Sequence, residues 1–107
     1  MLDKRLILSG FELEKIEQER VNEILEKYLR KIEERISDYQ EIKIRMKKSL
    51  HGKAFLHEVE GDFIVKGKII SSKSTGYNLY EALAEVFEKM LFEIERIKGK
   101  TQKENEK

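Results

Sequence analysis

Between Asn78 and Ile97 the apolar residues Leu79, Leu83, Val86, Phe87, Met90, Leu91, Ile94 and Ile97 recur at three- and four-residue spacing. That period predicts a helix burying one stripe. Asn78 is placed to cap its first free N–H groups, with Glu81 three residues on completing a capping box, and Gly99 marks the expected stop. A second helical run extends from about Glu17 to Ile36 through Val21, Ile24, Leu25, Tyr28, Leu29, Ile32 and Ile36. Ile16 falls outside its arc at about 100° per residue, so the helix is expected to start after it, or that residue to pack elsewhere.

The remaining pattern is that of strands. Arg5 to Leu8 is a short apolar run ended by Ser9-Gly10, and Phe11 and Leu13 form an extended lead-in to the first helix. Glu41 to Lys47 alternates strictly, which puts Ile42, Ile44 and Met46 toward the helices and Lys43, Arg45 and Lys47 outward. Ser49 to Lys53 reads as a loop. Leu56 to Val65 and Lys68 to Thr75 read as a hairpin turning at Lys66-Gly67. A two-residue turn there pairs Val65 with Lys68, Phe63 with Ile70 and Glu60 with Lys73, and leaves Ile64 and Ile69 together on the outer face.

The element order is therefore β-α-β-β-β-α. It predicts an α+β fold, a two-layer sandwich with a four-stranded sheet and two helices on one face. Residues 1–98 are expected to form a single domain, with Leu83, Phe87, Met90, Phe63, Ile70, Ile44 and Leu29 in its core. The polar stretch 99–107 is expected to be a disordered charged tail.

Composition narrows the function classes. Charged residues make up 40% of the 107, yet the net charge is only +1, so nucleic-acid binding would have to come from local segregation of charge. With no cysteine and only His51 and His57 as histidines, no metal site and no cofactor are expected. Gly61 to Lys68 superficially resembles a phosphate loop. It has five residues between its glycines, however, and Ile69 where a magnesium-binding Ser or Thr belongs. No nucleophile–base pairing is recognisable, so neither an enzyme nor a small-molecule substrate is expected. With no signal peptide and no apolar run long enough to cross a bilayer, no membrane partner is expected and the location is read as cytoplasmic.

Two stretches carry a family resemblance. Asn78-Leu79-Tyr80-Glu81-Ala82-Leu83 resembles the Asp-Met/Leu-Tyr-x-Ala-Ile/Leu opening of the last helix in the ribosome hibernation-promoting factor family, also called ribosome-associated inhibitor or sigma-54 modulation proteins. Val21 to Glu33 is similar to that family's first helix, which carries lysines in a K-x-L-x-K-L-E pattern. The resemblance implies a factor that binds the small ribosomal subunit near the decoding region through rRNA and holds ribosomes inactive under stress. It implies no catalytic residue and no cofactor. Long bacterial forms add a dimerising C-terminal domain, and none is expected here. Lys27 and Lys31 match the basic positions of the first helix, and Lys89 and Arg96 those of the last. Phe92 and Glu95 depart from the family's basic pattern.

By helical geometry Arg20, Lys27 and Lys31 share one flank of the first helix, and Lys89 and Arg96 are read onto the corresponding flank of the second. These five are the expected rRNA-binding residues. Solvated helix faces with pairs such as Glu23–Lys27 are the competing account. Phe92 lies about 175° from the centre of the buried stripe. Either Phe92 on the helix, or Ile64 and Ile69 on the sheet face that no helix covers, is the expected self-association patch of a homodimer that could bridge subunits. Two other classes stay open. One is a general RNA-binding domain of the double-stranded-RNA-binding kind, which would carry basic residues where this chain reads Tyr77-Asn78-Leu79. The other is a protein–protein module without an RNA role.

Overall fold

The computed structural model describes residues 5–36 and 38–105, with side chains described as far as Ile97. The elements are β1 (Leu6–Ser9), α1 (Lys15–Arg35), β2 (Glu41–His51), β3 (Ala54–Val65), β4 (Lys68–Gly76) and α2 (Leu79–Asn105). The sheet runs in the order β1-β2-β3-β4, with β1 parallel to β2 and the other pairs antiparallel. This is the expected two-layer α+β sandwich. Ile42, Ile44 and Met46 on β2 and Val59, Phe63 and Val65 on β3 are buried with Val21, Leu25, Tyr28, Leu29 and Ile32 of α1 and Leu83, Val86, Phe87, Met90 and Ile94 of α2. Ile70 packs against this core from a half-buried position.

Local chemistry explains the boundaries. The Asn78 carboxamide oxygen accepts from the N–H groups of Tyr80 and Glu81 at 2.9 and 3.1 Å, the expected cap of α2. Glu14 and Glu17 form a capping box at the start of α1. That box begins the helix ahead of Ile16, which is 77% exposed: the residue is neither outside the helix nor packed elsewhere. The β3–β4 hairpin has the expected register, Val65–Lys68, Phe63–Ile70 and Glu60–Lys73, with Ile64 opposite Ile69. Lys66 and Gly67 have φ of 50° and 76°, the pair of positive values of a type I′ turn, whose twist matches that of the strands. The Gln40 side-chain oxygen accepts from the Gly67 N–H at 3.0 Å and ties that turn to the start of β2.

Two boundaries differ from the sequence reading. The expected loop at Ser49 to Lys53 is mostly strand: β2 runs to His51 and β3 starts at Ala54, joined by a two-residue turn led by Gly52 at φ 66°. The pattern concealed this because no buried apolar face continues there. At the other end α2 continues through Gly99 to Asn105. One glycine costs a helix only about 1 kcal/mol, and the surrounding Lys, Gln and Glu are good helix formers. Residues 106–107 of the expected tail lie outside the described residues.

The layers meet closely at Gly61. A Cβ there would sit 2.2 Å from Met90 Cε, 2.8 Å from Val86 Cγ1 and 3.1 Å from Ile44 Cδ1. The bare backbone lets α2 lie down on the centre of β3. Gly61→Ala is expected to lower stability by about 1–3 kcal/mol through overpacking, and Phe87→Ala by about 3–5 kcal/mol through the cavity it leaves. Urea denaturation checks both. A cost below about 1 kcal/mol for Phe87→Ala would mean that this helix face does not carry the core.

Candidate nucleic-acid interface

The two helices meet at a flat aromatic contact: the rings of Tyr28 and Phe87 stack with centroids 5.2 Å apart and planes 4° from parallel. Burial, with the charge of Glu88 adding to it, pushes the Tyr28 phenol up. The ammonium groups of Lys27 and Lys31 lie 5.3 and 5.2 Å from the centroid of Tyr28, and the Arg20 guanidinium lies 5.2 Å from that of Tyr80. These are cation–π distances. The residues expected to share one flank of α1 thus come together along its seam with α2, where Arg35 also pairs with Glu95. Among the described residues none of Arg20, Lys27 and Lys31 is in an ion pair, Glu23–Lys27 included.

Lys89 and Arg96 do not join them. Lys89 reaches toward β4, donating to the Lys73 carbonyl at 2.6 Å and pairing with Glu85 at 3.2 Å. Arg96, two helical turns further along the same flank, pairs with Glu93 at 2.8 Å. The reading of one basic stripe across corresponding flanks is therefore corrected. α1 meets α2 through Tyr80, Phe87 and Glu95, and Lys89 and Arg96 lie on the opposite side of α2.

That opposite side holds the expected self-association residues. A groove of about 750 Å³ between β4 and α2 is lined by Ile69, Ile70, Lys89, Phe92, Glu93 and Ile97 among others. Phe92 is 67% and Ile69 64% exposed, so two residues read as separate patches border one groove, with Ile64 half-buried beside Ile69. β4 is the edge strand. The two-residue turn makes Val65–Lys68 a hydrogen-bonded pair, so with the alternation of an antiparallel ladder the N–H and C=O groups of Ile69, Ser71, Lys73 and Thr75 face the open edge. The Lys89 ammonium occupies one of them, the Lys73 carbonyl.

The uncovered face of the sheet is charge-paired. Lys43, Arg45 and Lys47 stand directly opposite Asp62, Glu60 and Glu58. Arg45 pairs with Glu60 at 2.6 Å, and Lys73 with Glu58 and Glu60 from the other side. Hydrogen bonding to Lys73 holds the Glu58 carboxyl below its ordinary value, and hydrogen bonding to Lys89 does the same for Glu85. A surface whose cations are answered by neighbouring carboxylates offers little to a phosphate backbone, so the α1 seam is the better polyanion surface.

The tyrosines under the cations were not singled out from the sequence. Tyr28 reads there only as a core position, although lysines one residue before and three after it are the spacing that sets cations over its ring. Among the described residues no group of three or more His, Asp or Glu could hold a metal ion, and no helix is long and apolar enough to cross a membrane.

Residues 15–102 match the family model described as sigma 54 modulation protein / S30EA ribosomal protein. Among solved structures, a ribosomal subunit interface protein from Coxiella burnetii aligns with TM-score 0.67 at 14% identity over 88% of this chain and 97% of its own. The N-terminal domain of Thermus thermophilus Protein Y aligns with TM-score 0.53 at 22% identity, over 91% of this chain and 99% of its own. At these identities the structural likeness shows a shared fold. No curated protein matches the chain by sequence.

The low carboxyls make an acid-limb prediction. A carboxylate held low in the folded protein stabilises it above the ordinary value of 4.5, and that contribution is lost as pH falls through the lower folded value. Lys73→Gln and Lys89→Gln should each lower Tm at pH 6, and the deficit should shrink below about pH 4 as Glu58 and Glu85 take up protons. Thermal melts across that range check it; a deficit that stays constant to pH 3 would remove these pairs as its cause.

Proposed function

We propose a ribosome-binding function from one premise: the chain belongs to the sigma-54 modulation protein / S30EA ribosomal protein family. That membership is the observation that carries the reading. In this role the protein engages rRNA of the small subunit and holds the ribosome in an inactive state, without catalysis. The α1 seam supplies the chemistry: Arg20, Lys27 and Lys31 rest on aromatic rings rather than on carboxylates, so phosphates can bind them without first breaking an ion pair. Lys89 and Arg96 are a second, partly neutralised group, whose contribution to rRNA binding would come at the expense of Glu85 and Glu93.

Co-sedimentation with small subunits through a sucrose gradient tests this reading. Binding is expected at low salt and should fall steeply as salt rises, because each phosphate contact releases a counterion. Lys27→Glu with Lys31→Glu should abolish it while Tm stays near that of the parent. Lys89→Glu with Arg96→Glu should weaken it less. A protein that stays at the top of the gradient at low salt would end the ribosome reading.

A second reading concerns assembly. The groove bordered by Ile69 and Phe92 beside an open strand edge favours pairing with a second copy, an arrangement that could join two subunits. Light scattering should then give about twice 12.7 kDa. Phe92→Glu, or Ile64→Lys with Ile69→Lys, should return the mass to that of a monomer. A parent protein that is monomeric at high micromolar concentration would end the dimer reading and leave ribosome binding untouched.

A further inference from the structure

The β2–β3 hairpin outruns the rest of the sheet. β1 makes its last pair at Ser9–Arg45 and β4 at His57–Gly76, so the segment around Lys48 to Leu56 projects as two strands alone. Leu50 and Phe55 face each other across this tip, 63% and 49% exposed. The Lys48 ammonium stands 4.7 Å from the centroid of Phe55. The charge here is one-sided. From Lys47 to His57 the chain carries three lysines, two histidines and no acidic residue, in a protein whose net charge is only +1. Among the described residues Lys48 and Lys53 enter no ion pair.

We propose that this hairpin tip is a binding site for unpaired RNA, with a base stacked on Phe55 and flanking phosphates held by Lys48 and Lys53. Single exposed apolar residues are commonplace. What sets this pair apart is an aromatic ring presented on a projecting element with the Lys48 ammonium beside it, on a tip where Lys48 and Lys53 enter no ion pair among the described residues. Single-stranded nucleic acid is taken up by that combination, cations tracking the backbone and an aromatic face stacking the base. A base inside a duplex is already stacked and out of reach of the ring, so the site selects loops, bulges and ends. The α1 seam offers its cations over rings that are themselves packed, Tyr28 against Phe87, and is suited to phosphates alone. The tip therefore adds a base contact that the seam cannot make, and it does not depend on the ribosome reading.

The test is fluorescence anisotropy of the full chain with a labelled short oligouridine RNA, with duplex RNA and phosphatidylserine vesicles as further probes. Phe55→Ala should weaken oligouridine binding about five- to a hundredfold, the loss of one stacked base. Phe55→Tyr should retain it. Lys48→Gln with Lys53→Gln should weaken it and flatten its salt dependence. Duplex RNA binding should be indifferent to Phe55→Ala. The inference is overturned if the parent does not bind oligouridine, if Phe55→Ala binds it as well as the parent at unchanged Tm, or if Phe55 matters only for vesicles. The two readings fail separately. Loss of co-sedimentation in the parent sinks the ribosome reading alone, whereas intact co-sedimentation without oligouridine binding sinks this one alone.

Discussion

The contact on which the rest of the structure depends is the seating of α2 on the bare backbone of Gly61. Met90 and Val86 occupy the space that a side chain would fill there. That seating brings Phe87 into the position where Tyr28 of α1 can stack on it, so the sheet positions one helix and that helix positions the other. The outer rims of the stack then become the surfaces described above. Even the polar neighbours follow this geometry: the Ser72 hydroxyl donates to the Val86 carbonyl at 2.9 Å, joining α2 to the edge strand beside the close approach.

Charge is distributed by surface rather than by element. On the open sheet face every cation of β2 stands opposite an acid of β3, which keeps a large uncovered sheet soluble without a helix over it. Along the α1 seam cations lie over rings, and at the hairpin tip they stand without acids. A net charge of +1 conceals this segregation, because it sums cations and carboxylates that lie on different surfaces. The function classes left open by composition are therefore separated by position and not by totals.

What the sequence made legible was whatever depends on a single period. The buried stripes of both helices, the alternation of β2, the β3–β4 register and the Asn78 cap are each set by residues within a few positions of one another, and they stand in the structure except at Ile97, which was expected in the α2 stripe and is 42% exposed. The positions of Arg20, Lys27 and Lys31 on one flank were legible for the same reason. The flank of Lys89 and Arg96 was misread because it depends on the rotation of one helix about its axis relative to the other, and no periodicity within a helix encodes that. The hairpin extension was missed because backbone pairing without a buried face leaves no alternation of apolar residues. The union of Ile69 and Phe92 in one groove, between elements about twenty residues apart, was equally out of reach.

The two flanks of α2 also differ in what binding would cost them. A phosphate approaching Lys89 competes with the Glu85 carboxylate and with the Lys73 carbonyl, both already hydrogen-bonded to that ammonium. A phosphate approaching Lys27 or Lys31 competes only with the face of Tyr28. The same polyanion therefore meets fewer competing partners on the α1 side. The β4 side presents apolar residues bordered by satisfied charges and an open strand edge, which is the composition of a protein contact. The two proposed surfaces lie on opposite flanks of α2, so a copy bound in the β4 groove would leave the α1 seam open.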